Sequence, residues 1–361
     1  MSRFYQYCER NFLILLIFII YTHNAEAQRV SVMAYNVENL FDTETDSKKD
    51  DFTFLPLSKK NNSEHKLNCK KMGSKFYQDE CLTLDWSETV LEKKMTQLAK
   101  VILSVNSGKG ADVLILEEVE NIKILEKFNS TFLKSAGYKS VVLIEGQDQR
   151  GIDVGMLSRF PVAEEPILHD LKLIAREGKK HLTRGVLGVV FELPTKEKLQ
   201  VFGVHFPSGR NPFYLREQAF IRLTEIAKNS AHDFVVAGGD FNVSAGEDSR
   251  IFRKLGSKDW FISHIVGCHE CLGSSYYGRY NSWSFLDAIM HLKKARNLSV
   301  QKAQQWKMDA ASIKVVDFEI NKRSKVGEPL RFDAKKNEGA SDHFPVYAEF
   351  SFSSNKNENS K

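Results

Sequence analysis

The stretch FVVAGGDFNV, residues 234–243, decides the fold and the position of the site. Residues 234–238 are apolar or small, which predicts a short buried strand. Gly239 follows and allows the backbone to turn or to be closely approached. Asp240 and Asn242 stand two residues apart, so an extended backbone would direct both side chains to the same face. A carboxylate and a carboxamide at the end of a buried strand are costly to bury for packing alone, which indicates chemistry.

The segments around this strand predict a mixed order of strands and helices. Strands are predicted at 30–35, 111–116, 140–144, 152–157, 185–192, 199–205, 284–290 and 343–352, and helices at 85–106, 121–136 and 214–229. The hairpin-like strand pairs favour an α/β fold in the form of a two-sheet α/β sandwich of mixed β-sheets flanked by helices. A fold of alternating βαβ units fits these pairs less well. Polar clusters recur at strand ends from residue 36 to residue 343, which indicates one site assembled from distant segments. Because a single site would join all these segments, we predict a single domain over 28–352.

Composition and charge set broad bounds. A length of 361 residues by itself favours two domains. The shared site favours one domain instead. Hydrophobic residues at 42% and charged residues at 27% are ordinary for a globular protein. The net charge of +5 suits a polyanion or an anionic surface, although so small an excess also fits a neutral substrate.

The N-terminus has the pattern of a secretory signal peptide. Arg3 and Arg10 precede an apolar run over 12–21, and Ala25-Glu26-Ala27 forms an A-x-A cleavage pattern. We expect cleavage near Ala27, so that the mature chain starts at Gln28 and is secreted or periplasmic; a retained membrane anchor is the alternative. At the other end, residues 353–361 are expected to be a disordered tail.

Four cysteines remain after such cleavage, which permits disulfides in an exported protein. Of the three connectivities, sequence proximity favours Cys69 with Cys81 and Cys268 with Cys271. The CHEC segment at 268–271 is alternatively half of a zinc site, although a single CxxC is weak evidence for one.

A polar segment over about 43–84 carries too few apolar residues for a core and has eight lysines between Lys48 and Lys75. We interpret it as a surface insertion, with the Cys69/Cys81 pair as its brace. Its lysines form either a solvated face or a basic loop that faces the substrate.

Polar side chains at predicted strand ends are the candidate site. Carboxylates and carboxamides suit a hard cation such as Mg²⁺, and histidines supply acid and base chemistry at neutral pH. The sequence has no GxxxxGK[ST] loop for nucleotide binding and no GxSxG for a serine nucleophile. Of the chemistries considered, metal-assisted hydrolysis of a phosphate ester is the one that these residues still allow. The strand-end residues are Asn36, Glu118, His205, Asp240, Asn242, Asp287, Asp342 and His343.

Seven motifs in order resemble the endonuclease/exonuclease/phosphatase superfamily. They are YNVENLFD (35–42), DVLILEEVEN (112–121), GIDVGMLSR (151–159), VHFPS (204–208), GGDFN (238–242), WSFLDAI (283–289) and SDHFPV (341–346). The superfamily includes pancreatic-type deoxyribonucleases, abasic-site endonucleases, bacterial sphingomyelinases and inositol polyphosphate phosphatases. The resemblance implies a deoxyribonuclease-like fold and a metal-dependent hydrolase acting on phosphate ester bonds.

The resemblance implies a metal site. Glu118 would be the principal Mg²⁺ ligand, with Asn36 and Asp342 close to the ion, and Asn36 is also a candidate for binding the substrate phosphate. Mn²⁺ and Ca²⁺ are the alternative ions. Glu117 is expected to point to the opposite side of its strand.

The resemblance also implies the catalytic roles. Asp240 would activate the attacking water and Asn242 would hold a phosphate oxygen. His343, oriented by Asp287, would be a general base or a phosphate contact, and His205 would hydrogen-bond the phosphate or protonate the leaving oxygen. Beyond the resemblance, we predict that Asp153 orients His205 and that two arginines, Arg150 and Arg210, clamp the phosphate.

Charge and export together favour a secreted nuclease that cleaves DNA or RNA without sequence preference. The alternatives are a phosphatase or a sphingomyelinase-like lipid phosphodiesterase of the same superfamily, the latter using a membrane lipid as substrate. An exposed aromatic hairpin would favour the lipid, and Tyr276, Tyr277, Tyr280 and Trp283 are the candidates for it. The alternative outside the enzymes is a binding module that has this fold but no catalytic activity. No obligate protein partner is indicated.

Overall fold

The computed structural model describes residues 28–46, 49–293, 306–323 and 325–352. The expected signal peptide and the expected C-terminal tail lie outside these residues. Within them, no helix combines the length and the apolar character needed to cross a membrane.

Fifteen strands and seven α-helices make up the described chain. The strands are β1 Arg29–Leu40, β2 Val113–Val119, β3 Ser140–Leu143, β4 Asp153–Ser158, β5 Ile167–His169, β6 Val186–Glu192, β7 Lys198–His205, β8 Phe234–Asp240, β9 Trp260–Ile262, β10 Ser275–Tyr277, β11 Ser282–Ser284, β12 Asp287–Leu292, β13 Trp306–Met308, β14 Lys314–Val315 and β15 Val346–Phe352. The helices are α1 Ser63–Lys70, α2 Lys75–Thr83, α3 Glu88–Ile102, α4 Ile122–Lys127, α5 Phe213–Lys228, α6 Ala245–Asp248 and α7 Ser263–Val266.

Two large mixed sheets carry the fold. The seven-stranded sheet has the order β13-β15-β1-β2-β4-β3, with β14 also paired to β15, and its β1–β2 pair is parallel. The six-stranded sheet has the order β5-β6-β7-β8-β12-β9, and its β7–β8 pair is parallel. The remaining strands, β10 and β11, form a separate hairpin. The predicted two-sheet α/β sandwich is confirmed.

Three apolar layers hold the sandwich together. The middle layer lies between the sheets and includes Val32 and Ile115 from one sheet and Val201 and Val236 from the other. A second layer packs α3 and α4 on the outer face of the seven-stranded sheet, and a third packs α5 on the outer face of the six-stranded sheet. Each strand of the two central pairs is therefore buried on both faces, which explains why their sequences are continuous apolar runs.

The helices begin close to their expected positions, with one exception. Asn121 caps α4, because its side chain accepts a hydrogen bond from the amide of Ile124 at 3.0 Å. The expected start of the first long helix at Asp85 is wrong. This helix, α3, begins at Glu88, and the Asp85 side chain instead accepts a hydrogen bond from the amide of Leu57 at 3.0 Å.

The insertion over 43–84 folds into a pair of short helices, α1 and α2, joined by a disulfide. Cys69 and Cys81 are bonded, with Cα atoms 5.6 Å apart, and both are completely buried. Cys268 and Cys271 form the second disulfide, with Cα atoms 5.2 Å apart. The zinc alternative for this second pair is wrong, because the two sulfurs are bonded to each other.

Candidate active site

Three neighbouring strands of the six-stranded sheet bring polar side chains into one row. In the strand pairing, His205 at the end of β7 lies opposite Asp240 at the end of β8. Asp240 in turn lies opposite Asp287 at the start of β12. All three side chains are nearly completely buried. The row places two carboxylates and an imidazole side by side at one edge of the sheet.

Gly239 makes the close approach of β7 and β8 possible at this row. Its φ is 137°, and a Cβ atom there would lie 2.1 Å from the carbonyl oxygen of Val204. Any other residue would push the two strands apart directly before Asp240. The glycine therefore fixes how closely β7 and β8 can pack.

Asp240 is the most connected of the predicted catalytic residues. One carboxylate oxygen accepts a hydrogen bond from Nδ2 of Asn36 at 3.1 Å and lies 3.6 Å from Nε2 of His205. The other accepts a hydrogen bond from the backbone amide of Asn242 at 2.7 Å. Burial, reinforced by the charge of Asp287, raises the pKa of Asp240 to about 7. A carboxylate with such a pKa is suited to accept a proton at neutral pH.

His343 and Asp287 form a buried ion pair beside Asp240. Nδ1 of His343 lies 2.7 Å from a carboxylate oxygen of Asp287. Burial alone would lower the pKa of His343, but the charge and hydrogen bond of Asp287 outweigh it and hold that pKa well above its ordinary range. His343 is therefore an imidazolium at neutral pH, with Nε2 as its remaining donor.

His205 has the opposite character. Burial, together with the charges of Arg184 and Arg150, keeps its pKa well below the ordinary range, so the ring is neutral at pH 7. The expectation that Asp153 orients His205 is wrong. The Asp153 carboxylate accepts a hydrogen bond from the amide of Gly146 at 2.8 Å, and Nδ1 of His205 has no hydrogen-bond partner among the described residues.

A β-bulge in β2 sets the direction of Glu118. The pairing of β2 with β4 shifts register between Glu117 and Val119, and Glu118 has a φ of 65°. Such a bulge turns one side chain away from the regular alternation of the strand. The Glu118 carboxylate consequently faces an open cleft, where its Oε1 lies 4.0 Å from Nε2 of His205.

Glu117 points away from Glu118, as expected, but it does not leave the site. It is completely buried between the sheets, beneath Asp240 and Asp287. Neither of its carboxylate oxygens has a hydrogen-bond partner among the described residues. Burial, followed by the nearby charges of Asp287 and Asp240, raises the pKa of Glu117 well above its ordinary range.

Three carboxylates gather around the floor of the cleft: Glu38, Glu118 and Asp342. Arg331 pairs with Glu38 and lies 3.6 Å from Asp342. Below them, the buried Nζ of Lys94 donates hydrogen bonds to the carbonyl oxygens of Glu38 at 3.1 Å and Ala340 at 2.7 Å.

The donor set on this floor fits a hard divalent cation. The Glu118 carboxylate accepts no hydrogen bond from the described residues, and Asp342 is partly exposed to the cleft. Asn36 is engaged elsewhere, because its Oδ1 accepts the amide hydrogen of Glu38 at 2.9 Å and its Nδ2 donates to Asp240. Carboxylate oxygens that face an open cleft, with room for water beside them, are ligands that suit Mg²⁺.

Arg150 and Arg210 both line the same cleft, which has a volume of about 2180 Å³. Arg150 donates a hydrogen bond to Oδ1 of Asn39 at 3.1 Å, and Arg210 donates one to the phenol oxygen of Tyr77. Both partners are neutral, so the two positive charges are not compensated by these contacts. They are placed to receive an anion.

The model of the endonuclease/exonuclease/phosphatase family matches residues 74–351. The chain belongs to this family. The members of the endonuclease/exonuclease/phosphatase family are phosphoester hydrolases that typically depend on a divalent metal, so the expected class of activity is supported. Among curated proteins, none matches this sequence.

Solved structures confirm the fold. An endonuclease/exonuclease/phosphatase family protein from Bacteroides thetaiotaomicron has 13% identity and a TM-score of 0.54, covering 91% of this chain and 100% of its own. D. rerio TDP2, solved with a single-strand DNA product, has 15% identity and a TM-score of 0.52, covering 90% of this chain and 99% of its own. At such identities the likeness shows a shared deoxyribonuclease-like fold.

Several residues of the site escaped the sequence analysis. The position of Lys94 could have indicated a structural role. It stands between Leu91 and Met95 on the apolar face of α3, and a lysine is rarely buried unless its charge is paired. No comparable sequence feature pointed to Glu38 or Arg331, because neither occupies the end of a predicted strand. Tyr77 lay in the polar insertion, which chain topology placed near the entrance of the site, but no pattern singled out this residue.

Proposed function

We propose that this protein is a metal-dependent phosphodiesterase that hydrolyses DNA or RNA without sequence preference. One observation carries the proposal. The buried row His205, Asp240 and Asp287, with His343 hydrogen-bonded to it, lies beside an open cleft that holds the Glu118 carboxylate. A proton acceptor, a cationic donor and a metal-binding carboxylate are thus within reach of one phosphate.

In this proposal Asp240 is the general base. Its pKa of about 7 lets it accept a proton from the attacking water at neutral pH. His343 remains protonated and donates from Nε2 to a phosphate oxygen, where its charge offsets the charge that develops in the transition state. The raised pKa favours this role for His343 over that of a general base. His205, which is neutral, donates a hydrogen bond without supplying net charge.

Glu118 and Asp342 are the residues that would hold the metal ion, for which we propose Mg²⁺. When bound, the ion would polarise the phosphoryl oxygens and stabilise the leaving oxygen. Asn36, rather than binding the ion directly, would position Asp240 through its 3.1 Å hydrogen bond. Asn242 would bind a phosphate oxygen, although its Nδ2 donates to the carbonyl oxygen of Phe206 at 3.1 Å in this structure.

Nucleic acid as substrate is supported by charge and by structural likeness. Arg150 and Arg210 present to the cleft guanidinium groups whose side-chain hydrogen-bond partners are neutral, and guanidinium groups bind backbone phosphates without reading sequence. The net charge of +5 acts in the same direction. A protein of the same fold, D. rerio TDP2, was solved with a single-strand DNA product.

A lipid phosphodiesterase is the second candidate, and the β10–β11 hairpin favours it. Tyr277 and Tyr280 on this hairpin are 54% and 70% exposed. Ser275 of β10 bridges to His343, so the hairpin stands directly beside the site. Exposed tyrosines next to a phosphate site are typical of attachment to a membrane surface.

We further propose that the protein is exported after cleavage next to Ala27. The support is the apolar run over 12–21 followed by the A-x-A pattern. Expression with the native N-terminus and intact-mass measurement of the exported protein should give a chain that starts at Gln28. A cell-associated chain that retains residues 1–27 would contradict the proposal.

A substrate panel tests the function. The purified protein is incubated with a single-stranded oligonucleotide, supercoiled plasmid, sphingomyelin vesicles and inositol phosphates, each with Mg²⁺ or with chelator. We expect cleavage of nucleic acid that requires the metal and falls by roughly 100- to 10,000-fold in His343→Ala. Hydrolysis of sphingomyelin alone would establish the second candidate, and no hydrolysis by folded, metal-loaded protein would refute both.

A further inference from the structure

The insertion contacts the opposite side of the cleft through one pair of side chains. Arg210 donates a hydrogen bond to the phenol oxygen of Tyr77, and its guanidinium carbon lies 5.1 Å from the centre of the tyrosine ring. Tyr77 belongs to α2, which follows β1 of the seven-stranded sheet. Arg210 belongs to the loop after β7 of the six-stranded sheet. Because both residues line the cleft that contains Glu118, their contact joins its two sides.

Helix α2 is held firmly enough to act as a wall. The Cys69–Cys81 disulfide joins it to α1, and both cysteines are completely buried. Nζ of Lys60, which is also buried, donates hydrogen bonds to the carbonyl oxygens of Thr53 at 2.7 Å and Cys81 at 2.9 Å. These contacts fix the end of α2 to the rest of the insertion, so Tyr77 has a defined position.

The chemistry of this wall matches an unpaired nucleic acid strand. Phe76, next to Tyr77, is 68% exposed and packs edge-on against the tyrosine ring with centroids 5.3 Å apart. Arg210 and Arg150 add to the same cleft two guanidinium groups whose side-chain hydrogen-bond partners are neutral. Single strands bind where cationic groups follow the backbone and aromatic rings stack on exposed bases.

We propose that Tyr77 and Arg210 form a clasp across the cleft that admits a single-stranded polynucleotide and excludes an intact double helix. This inference rests on the proposed nuclease function and narrows its substrate. A double helix is stiff, with a persistence length of about 50 nm, and its bases are already stacked and paired. A single strand bends under the clasp and offers its bases to Phe76.

Three substrates and four proteins test the clasp. The substrates are a single-stranded oligonucleotide, a relaxed covalently closed plasmid and bis(p-nitrophenyl) phosphate, whose rate normalises for intrinsic activity. The proteins are wild type, Tyr77→Ala, Tyr77→Phe and Tyr214→Phe. Tyr214 is a matched control for Tyr77→Phe, because the guanidinium carbon of Arg176 lies 5.5 Å from the centre of its ring in a tyrosine–arginine pair that does not line the cleft.

We expect the wild type to prefer the single strand. Tyr77→Ala removes both the hydrogen bond and the ring contact and should lower the ratio of single-strand to plasmid cleavage about tenfold. Tyr77→Phe keeps the ring and should give a ratio between that of Tyr77→Ala and that of wild type, and Tyr214→Phe should match the wild type.

Two results would overturn the clasp: cleavage of the relaxed plasmid by wild type as fast as the single strand, or an unchanged ratio in Tyr77→Ala. Circular dichroism of each variant checks that it is folded. If Tyr77→Ala does not fold, the cleavage ratio of Tyr77→Phe, which keeps the ring packing, tests the clasp instead. Failure of the proposed function looks different, because wild type would then cleave neither the oligonucleotide nor the plasmid, whatever its rate on bis(p-nitrophenyl) phosphate.

Discussion

The Nδ1 atom of His343 lies 2.7 Å from a carboxylate oxygen of the completely buried Asp287. The carboxylate both orients the imidazole and stabilises its charged form. Asp287→Asn keeps the shape of the side chain and removes this charge. We expect the pKa of His343 to fall and the rate of phosphodiester hydrolysis to drop by about 100-fold or more. An NMR titration of His343, recorded with the pH–rate profile, measures both. A normal rate together with a lowered pKa would show that the charge of His343 is not used.

The pH dependence of the reaction should report Asp240. A general base acts in its ionised form, so protonation below its pKa abolishes the activity. Because burial raises that pKa to about 7, we expect the rate to rise with pH through neutrality and to level off above it. Asp240→Asn should be inactive at every pH. A rate that is already maximal at pH 5 would contradict the assignment.

Glu117 should make the free energy of unfolding depend on pH. Burial raises its pKa in the folded protein well above the ordinary value of 4.5. Its stabilising contribution is therefore complete below 4.5 and is lost as the pH rises towards the folded-state value. Glu117→Gln cannot ionise, so its stability relative to wild type should increase with pH by up to about 1.4 kcal/mol per pH unit.

Urea unfolding of both proteins across this pH range, in the presence of chelator, measures the difference. The chelator prevents a bound ion at the neighbouring Glu118 from changing the result. A stability difference that does not vary with pH would mean that Glu117 titrates normally.

The sequence was sufficient to locate the row of candidate catalytic side chains. His205, Asp240 and Asp287 end or begin strands whose apolar runs are buried on both faces, and such strands are readily predicted. The reasoning for Asn242 was wrong. It required an extended chain beyond Asp240, but β8 ends there and Asn242 has a φ of 52°. Asn242 is instead held near the site by its amide, which donates to Asp240.

Other parts of the site depend on long-range packing that no local pattern reveals. The direction of Glu118 results from a bulge between β2 and its neighbours, and a bulge depends on the register of strand pairing. Arg331 reaches Glu38 from a segment almost three hundred residues away. The insertion had no apolar periodicity, so its disulfide-braced helices and the Tyr77–Arg210 contact emerge only from the folded chain.

The most direct test of the central claim, metal-dependent hydrolysis of a phosphodiester at this site, is cleavage of a single-stranded oligonucleotide by wild type and Glu118→Gln across a titration of Mg²⁺. Asp79→Asn, a carboxylate on the cleft wall paired with Lys75, is the matched control. The account predicts that wild-type cleavage requires Mg²⁺, that Asp79→Asn behaves like wild type, and that Glu118→Gln loses at least about 100-fold in rate at low Mg²⁺. Cleavage that persists in chelator, or a Glu118→Gln protein with the rate and Mg²⁺ dependence of wild type, would contradict it.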